Sequence, residues 1–209
     1  MQTEILIYDG IDELDAFGPY EVLAEAGFDV ALVTPPATDR IVTARGAIVV
    51  PDRQLSDRAE LLVVPGGGWT RRPPNGAWAE VQRGVLPPLI AQRHAAGARI
   101  ASVCTGAFLV AAAGLLRGRP AVTHWKDVDE LEAMGVRVIR DARVVDDGDI
   151  VTAAGVTSGL DLALWIVEQE QGREAAADIA AEIEHRRDER IWRGGSNVTL
   201  GDTDEGTVS

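Results

Sequence analysis

The sequence predicts an α/β domain built on a largely parallel sheet that helices cover on both faces. Three observations carry that expectation. Short, wholly apolar runs such as Leu61-Leu62-Val63-Val64 are what strands buried on both faces require. These runs alternate with segments of helical period over most of the chain. Glycine and proline turns mark the changeovers.

The first element is Glu4-Ile5-Leu6-Ile7-Tyr8, an apolar run that stops at Asp9-Gly10 and reads as a buried strand entering a turn. Gly18-Pro19 then sets a proline at a first helical position, and Tyr20, Val22, Leu23 and Ala26 follow near the helical period until Gly27 ends it. Residues 28–33 are rich in strand formers, and residues 41–50 supply one or two short strands around Gly46. The clearest strand, residues 61–64, runs straight into Pro65-Gly66-Gly67-Gly68, followed by a loop of Arg, Pro and Gly to about Gly76. Residues 77–96 are helical with a disturbance at Pro87-Pro88, and Gly97 closes them before a strand over residues 99–103. Residues 106–116 are apolar on nearly every side and predict a helix set deep against the sheet. Short strands follow near 121–122, 136–139, 143–145 and 150–152, with a helix over 126–134, and helices over 160–171 and 175–185 complete the pattern. The expected organisation is a single domain over residues 1–193 and a flexible, acidic, aperiodic tail over 194–209.

Composition narrows the function. With 209 residues, 46 % of them hydrophobic and 25 % charged, the chain is neither fibrous, disordered nor a disulfide scaffold. A formal charge of −13 repels polyanions, so nucleic acid is not an expected partner. The N-terminus lacks the basic and apolar regions of a secretion leader, and no apolar run approaches the ~20 residues of a membrane span. A cytoplasmic protein with a small-molecule partner and no membrane association is expected. The lone cysteine, Cys104, can form neither an internal disulfide nor a multi-cysteine metal site, and no cluster of His, Asp and Glu has metal-ligand spacing.

Cys104 stands between a strand and a helix start, Thr105-Gly106-Ala107, with the small residues Ser102 and Gly106 two positions to either side, as a sharp nucleophile elbow requires. The helix N-terminus would favour thiolate and make the sulfur nucleophilic near neutral pH. The competing reading is a small buried core residue. Parallel sheets bind ligands beyond the carboxyl ends of their strands, so the Gly66-Gly67 turn can lie beside Cys104, with Gly67 and Thr105 N–H groups forming an anion hole. The other reading of these glycines is a tight turn; they are not a phosphate loop, since no Lys-Ser or Lys-Thr follows.

Of the acidic residues after the first strand, Asp12, Glu13 and Asp15, the last lies between Leu14 and Ala16-Phe17. It is the one placed to be buried, protonated and in exchange with a neighbouring sulfur; the alternative is a solvated loop or cap. Neither His124-Trp125-Lys126 nor His185-Arg186-Arg187 supplies the His-x-Glu partner of a glutamine amidotransferase. His124 is expected to pack with Trp125 at a strand end, and Asp161 to serve helix entry or an internal hydrogen bond.

The run Ser102-Val103-Cys104-Thr105-Gly106-Ala107-Phe108-Leu109, then Ala113-Gly114-Leu115-Leu116 and Thr123-His124-Trp125, resembles the ThiJ/PfpI superfamily. Pro65-Gly66-Gly67, and Leu14-Asp15 followed by Gly18-Pro19, fit the same pattern, so the resemblance spans about residues 4–185. It is nearest to the isocyanide (isonitrile) hydratase branch. The resemblance implies a flavodoxin-like three-layer sandwich with a nucleophile elbow, a homodimer, and hydration of a small isocyanide to an N-substituted formamide without a metal or organic cofactor. It assigns Cys104 as nucleophile and Asp15 as acid/base partner, with Thr105, Gly67 and Gly66 near the developing charge. The peptidase and glyoxalase-like branches usually carry a glutamate on the first loop and often a histidine after the cysteine; Asp15 and Thr105 argue against both. The stretch from Cys104 to Trp125 also resembles the sensor domain of AraC-type regulators, which leaves a ligand-binding or thiol redox-sensing module as the second reading.

Overall fold

The computed structural model describes residues 1–36 and 38–194. In chain order the first elements are β1 (Gln2–Leu6), α1 (Glu13–Glu25), β2 (Asp29–Thr34), β3 (Ile41–Val42), β4 (Ile48–Val49), β5 (Arg53–Gln54) and β6 (Leu61–Val64). There follow α2 (Ala77–Arg83), α3 (Leu86–Ala95), β7 (Arg99–Val103), α4 (Gly106–Ala112), β8 (Pro120–Ala121), α5 (Val128–Ala133) and β9 (Arg137–Val138). The last are β10 (Val144–Asp146), β11 (Ile150–Ala153), α6 (Ser158–Gln171), α7 (Arg173–Glu182) and β12 (Ile191–Arg193).

The apolar runs lie side by side in an eight-stranded sheet of order β12-β10-β11-β7-β6-β1-β2-β5. Its pairings are parallel except β10 against β11. Helices α1, α6 and α7 pack together on one side, and α2, α3, α4 and α5 on the other, which gives the three layers. Every residue of β6 is buried because helices cover both of its faces, the physical reason that its sequence is apolar without alternation. Two small sheets, β3–β4 and β8–β9, sit apart from the large one. Among the described residues no helix is long and apolar enough to cross a membrane.

Several elements depart from expectation. Helix α1 starts at Glu13, not at the Gly18-Pro19 pair, because the Asp12 side chain accepts the Leu14 N–H at 3.3 Å and caps it, with Glu13 and Asp15 in the first turn. Pro19 therefore lies inside the helix, where it has no N–H for the Asp15 carbonyl. Its ring instead packs against Gly159 of α6. The expected helix over 77–96 is two helices separated at Gly84, and Pro87 and Pro88 fall in the first turn of α3, where a missing N–H costs little. Helix α4 stops at Ala112, four residues short of expectation: Gly114 N–H bonds Ala111 O and Leu115 N–H bonds Val110 O, the pattern of a glycine-terminated helix. Edge strands β5 and β12 go beyond the expected elements; they are two and three residues long, too short for a strand period to announce them. Gly194 still bonds the domain through Asp146 O, while residues 195–209 of the expected tail lie outside the described residues.

Gly106, the first residue of α4, sits where the helix crosses the end of β6. A Cβ there would stand 2.1 Å from Val64 O and 2.9 Å from the Pro65 carbonyl carbon, both backbone atoms that cannot swing aside. Gly106→Ala is therefore expected to destabilise the fold by about 3 kcal/mol. A urea or thermal melt reads this directly; an unchanged midpoint would mean that the elbow is looser than its contacts indicate.

Candidate active site

The carboxyl ends of β1, β6, β7 and β11 meet at one place, and Cys104 leaves β7 there. Its φ of +56° lies in the left-handed region that non-glycine residues avoid, at a cost of order 1–3 kcal/mol. The surroundings hold it: Cys104 N–H donates to Ala154 O at 2.9 Å and Ala153 O at 3.2 Å, and Thr123 Oγ1 donates to Cys104 O at 2.8 Å. Both of its backbone groups are thus tied by strands or loops remote in sequence. The side chain is only 5 % exposed, and the N–H groups of Val156 and Thr105 point at its sulfur. Val156 also has a positive φ, +34°, unusual for a β-branched residue, and this turn aims its N–H.

Asp15, in the first turn of α1, is fully buried. Its Oδ2 accepts the Gly66 N–H at 3.0 Å, Oδ1 has no hydrogen-bond partner among the described residues, and the Cys104 thiol lies near enough to the carboxyl to act on its pKa. Burial, and then the Asp12 charge, hold the Asp15 carboxyl well above the usual carboxylate range, against the smaller opposing pull of the Gly66 N–H and the thiol. Burial also pushes the Cys104 thiol far up, and Asp15 adds to it, outweighing the two N–H groups at the sulfur. The expected pull of the helix start toward thiolate is therefore met by a stronger opposing force. The helix start favours the anion, but loss of water around the sulfur opposes it more strongly, and burial favours the uncharged form of both groups.

The glycine turn also differs from expectation. Gly67 N–H donates to Thr105 Oγ1 at 2.9 Å, and Gly66 N–H is engaged by Asp15. These two glycines brace Thr105 and Asp15, so the anion hole expected from Gly67 and Thr105 is not formed as such: the donors at the sulfur are Thr105 and Val156. Gly67 has φ +117° and a Cβ on it would lie 2.4 Å from Asp12 N, so the brace admits no side chain.

Two site residues escaped the sequence. Tyr8, read only as strand, is buried and donates its hydroxyl to Pro65 O at 2.7 Å; burial, then Asp15, Glu80 and Cys104, raise its pKa further. A tyrosine at the carboxyl end of a buried strand needs a partner for its hydroxyl, and that was the available signal. Val156 lies in a loop whose sequence gives no sign of its role. His124 neighbours Trp125 with ring centroids 5.9 Å apart, and its Nδ1 is 3.6 Å from Asp127 Oδ2. Asp161, fully buried at the start of α6, accepts from Arg143, His185 and the Asp188 N–H. Beside the elbow opens a cavity of about 590 Å³, whose walls include Thr123, Ala154 and Val156, the residues that bond Cys104.

Asp15 makes stability depend on pH. Because its folded pKa is raised above the 3.8 of a free aspartate, the folded state binds the proton more tightly, and the associated stability is complete below about 3.8 and lost as pH rises through the folded value. Asp15→Asn removes this dependence. The melting temperature of the variant relative to the wild type is expected to rise with pH from acid to mildly alkaline conditions; a difference independent of pH would contradict the buried, protonated carboxyl.

A cysteine on a strand-to-helix elbow, facing a buried carboxyl from the first helix of a three-layer sandwich, defines a class of cysteine-centred α/β proteins. The chain belongs to the DJ-1/PfpI family, whose profile matches residues 1–169. It is similar to the isonitrile hydratase of Pseudomonas putida, with 31 % identity over 188 residues that cover 88 % of this chain and 78 % of that protein. It is also similar to the Parkinson disease protein 7 homolog of Danio rerio, with 24 % identity over 86 % of this chain and 94 % of the relative. A solved ThiJ/PfpI family protein from Pseudomonas syringae superposes with a TM-score of 0.78 at 29 % identity, covering 90 % of this chain and 76 % of that one. The family and the flavodoxin-like fold expected from the motifs are those found.

Proposed function

We propose that the protein is a cysteine-dependent hydratase that adds water to a small isocyanide and releases an N-substituted formamide. The observation that carries this reading is the placement of Cys104 and Asp15 side by side in a buried site, and the similarity to an isonitrile hydratase supports the substrate. An isocyanide carbon is both a weak base and an electrophile once protonated, so it needs an acid and a thiol together. Asp15 gives its proton to the terminal carbon of R–N≡C, the thiol proton passes to the Asp15 carboxylate, and sulfur bonds the carbon to give the thioimidate R–N=CH–S–Cys104. Water then adds to that carbon while Asp15 protonates nitrogen and recovers a proton from the water. Collapse of R–NH–CH(OH)–S–Cys104 breaks the C–S bond, returns a proton to sulfur and leaves R–NH–CHO. Every proton that leaves Asp15 is replaced, so the resting pair is restored. The Thr105 and Val156 N–H groups stabilise the sulfur while it carries negative charge.

The burial of Cys104, which raises its thiol pKa, disfavours the redox-sensor reading, since a sensor cysteine works through an exposed, low-pKa thiolate. The reading includes a homodimer in the reducing cytoplasm, where a lone thiol stays free. Apolar side chains left exposed on α1, Leu14 and Phe17, support the pairing of two copies. Steady-state production of formamide from an alkyl or aryl isocyanide tests the activity. Thiol oxidation without any turnover would turn the reading to a sensor.

A further inference from the structure

We propose that the cavity beside Cys104 is built for an acidic substituent, so that the isocyanide hydrated there carries a carboxylate; the inference rests on the hydratase reading above. An isocyanide is linear through carbon and nitrogen, so a substrate whose carbon meets the sulfur projects its substituent straight away from it. The cavity of about 590 Å³, lined by Thr123, Ala154 and Val156 that contact Cys104, is the neighbouring space. Its lining includes Thr123 and Val156, which bond Cys104, together with Arg140, Arg143 and Arg190, with no Asp or Glu among its lining residues.

Each of these guanidinium groups has acidic partners. Arg143 is anchored by Asp161, whose fully buried carboxylate also accepts His185 Nε2 and the Asp188 N–H, each at 2.9 Å, and Arg143 Nη2 donates to Thr157 Oγ1 at 2.9 Å. Arg190 is paired with Asp188 through Nε and Nη2. Arg140 uses Nη2 on Asp129 and Glu132, both at 2.7 Å. These bonds engage Nε or Nη2, and among the described residues none engages Nη1 of any of the three, whose donors are open to a ligand. Preorganised guanidinium donors suit carboxylate recognition, and hydrogen bonds to a charged group are the stronger kind. A chain with net charge −13 repels a free anion, so a local set of arginines is what an anionic substrate needs in order to enter.

The test uses isocyanoacetate and its methyl ester as substrates, and the corresponding hydration products, N-formylglycine and its methyl ester, as ligands. By calorimetry the wild type is expected to bind N-formylglycine roughly tenfold or more tighter than the ester, with the difference reduced in Arg140→Gln and Arg190→Gln, whose side chains make only exposed pairs. In turnover, kcat/KM should favour isocyanoacetate over the ester by a similar factor, and the same variants should shrink that ratio. Equal or absent binding of acid and ester, or a preference that neither arginine change alters, would overturn the proposal. Failure of the hydratase reading is distinguishable, because neither isocyanide would then be consumed while the acid still bound through the arginines.

Discussion

Replacement of Cys104 by alanine is expected to lower formamide formation by about 10⁴-fold or more, to the level of the uncatalysed reaction. In the proposed sequence sulfur forms the only covalent bond to the isocyanide carbon, and no other thiol exists in the chain to take its place. The fold should tolerate the change. Alanine is smaller, and the bonds that hold residue 104 in place, from its N–H to Ala153 and Ala154 and from Thr123 Oγ1 to its carbonyl, are made by backbone atoms. A methyl group is as compatible with φ +56° as the cysteine side chain it replaces. Steady-state assays with a thermal melt alongside check both halves of the expectation. A folded Cys104→Ala protein within tenfold of wild-type turnover would remove the nucleophile from the account.

The second large effect is expected at Asp15. An Asp15→Asn side chain keeps an oxygen to accept the Gly66 N–H but has no acidic proton for the isocyanide carbon, so turnover should fall by about 10²–10⁴-fold, the usual range for a general acid–base group. The thiol should remain, and its ionisation should become easier: the Asp15 charge is one of the forces that raise the Cys104 pKa, and asparagine carries none. Alkylation of Cys104 by iodoacetamide at alkaline pH is therefore expected to be as fast in the variant as in the wild type, or faster. Lost turnover with an intact, alkylatable thiol separates proton transfer from damage to the site. Retained turnover would assign Asp15 a purely structural role as the acceptor for Gly66.

The elbow was legible because its requirements are local. Ser102, Cys104 and Gly106 are close in sequence, and the strand before them and the helix after them each carry their own period. The place of Asp15 was legible for a related reason, since Leu14 and Ala16-Phe17 around it call for burial. What escaped depends on partners far along the chain. The Gly67 N–H is taken by Thr105 Oγ1, 38 residues away, and nothing in a glycine turn announces that its donors are already engaged. Tyr8 reaches Pro65 across 57 residues, and Val156 reaches the sulfur from the loop after β11. The burial that raises the Cys104 pKa was hidden from the sequence on the same ground. The helix N-terminus that favours thiolate is visible in the sequence, whereas the burial that opposes it comes from α1, the glycine turn and the loop at Val156 closing over the sulfur. Likewise α1 begins early because Asp12 caps it, and a proline one turn later was the more conspicuous but misleading signal.

The proposed mechanism requires that sulfur of Cys104 bond the isocyanide carbon during hydration. Rapid mixing of the protein with excess isocyanide, acid quench and peptide mass analysis test it most directly. The account predicts a transient mass increase equal to one isocyanide on the peptide that contains Cys104, formed and lost at rates that match formamide production, and accumulating less in Asp15→Asn. Formamide released by the wild type with no adduct at any time, and equally by Cys104→Ala, would contradict it.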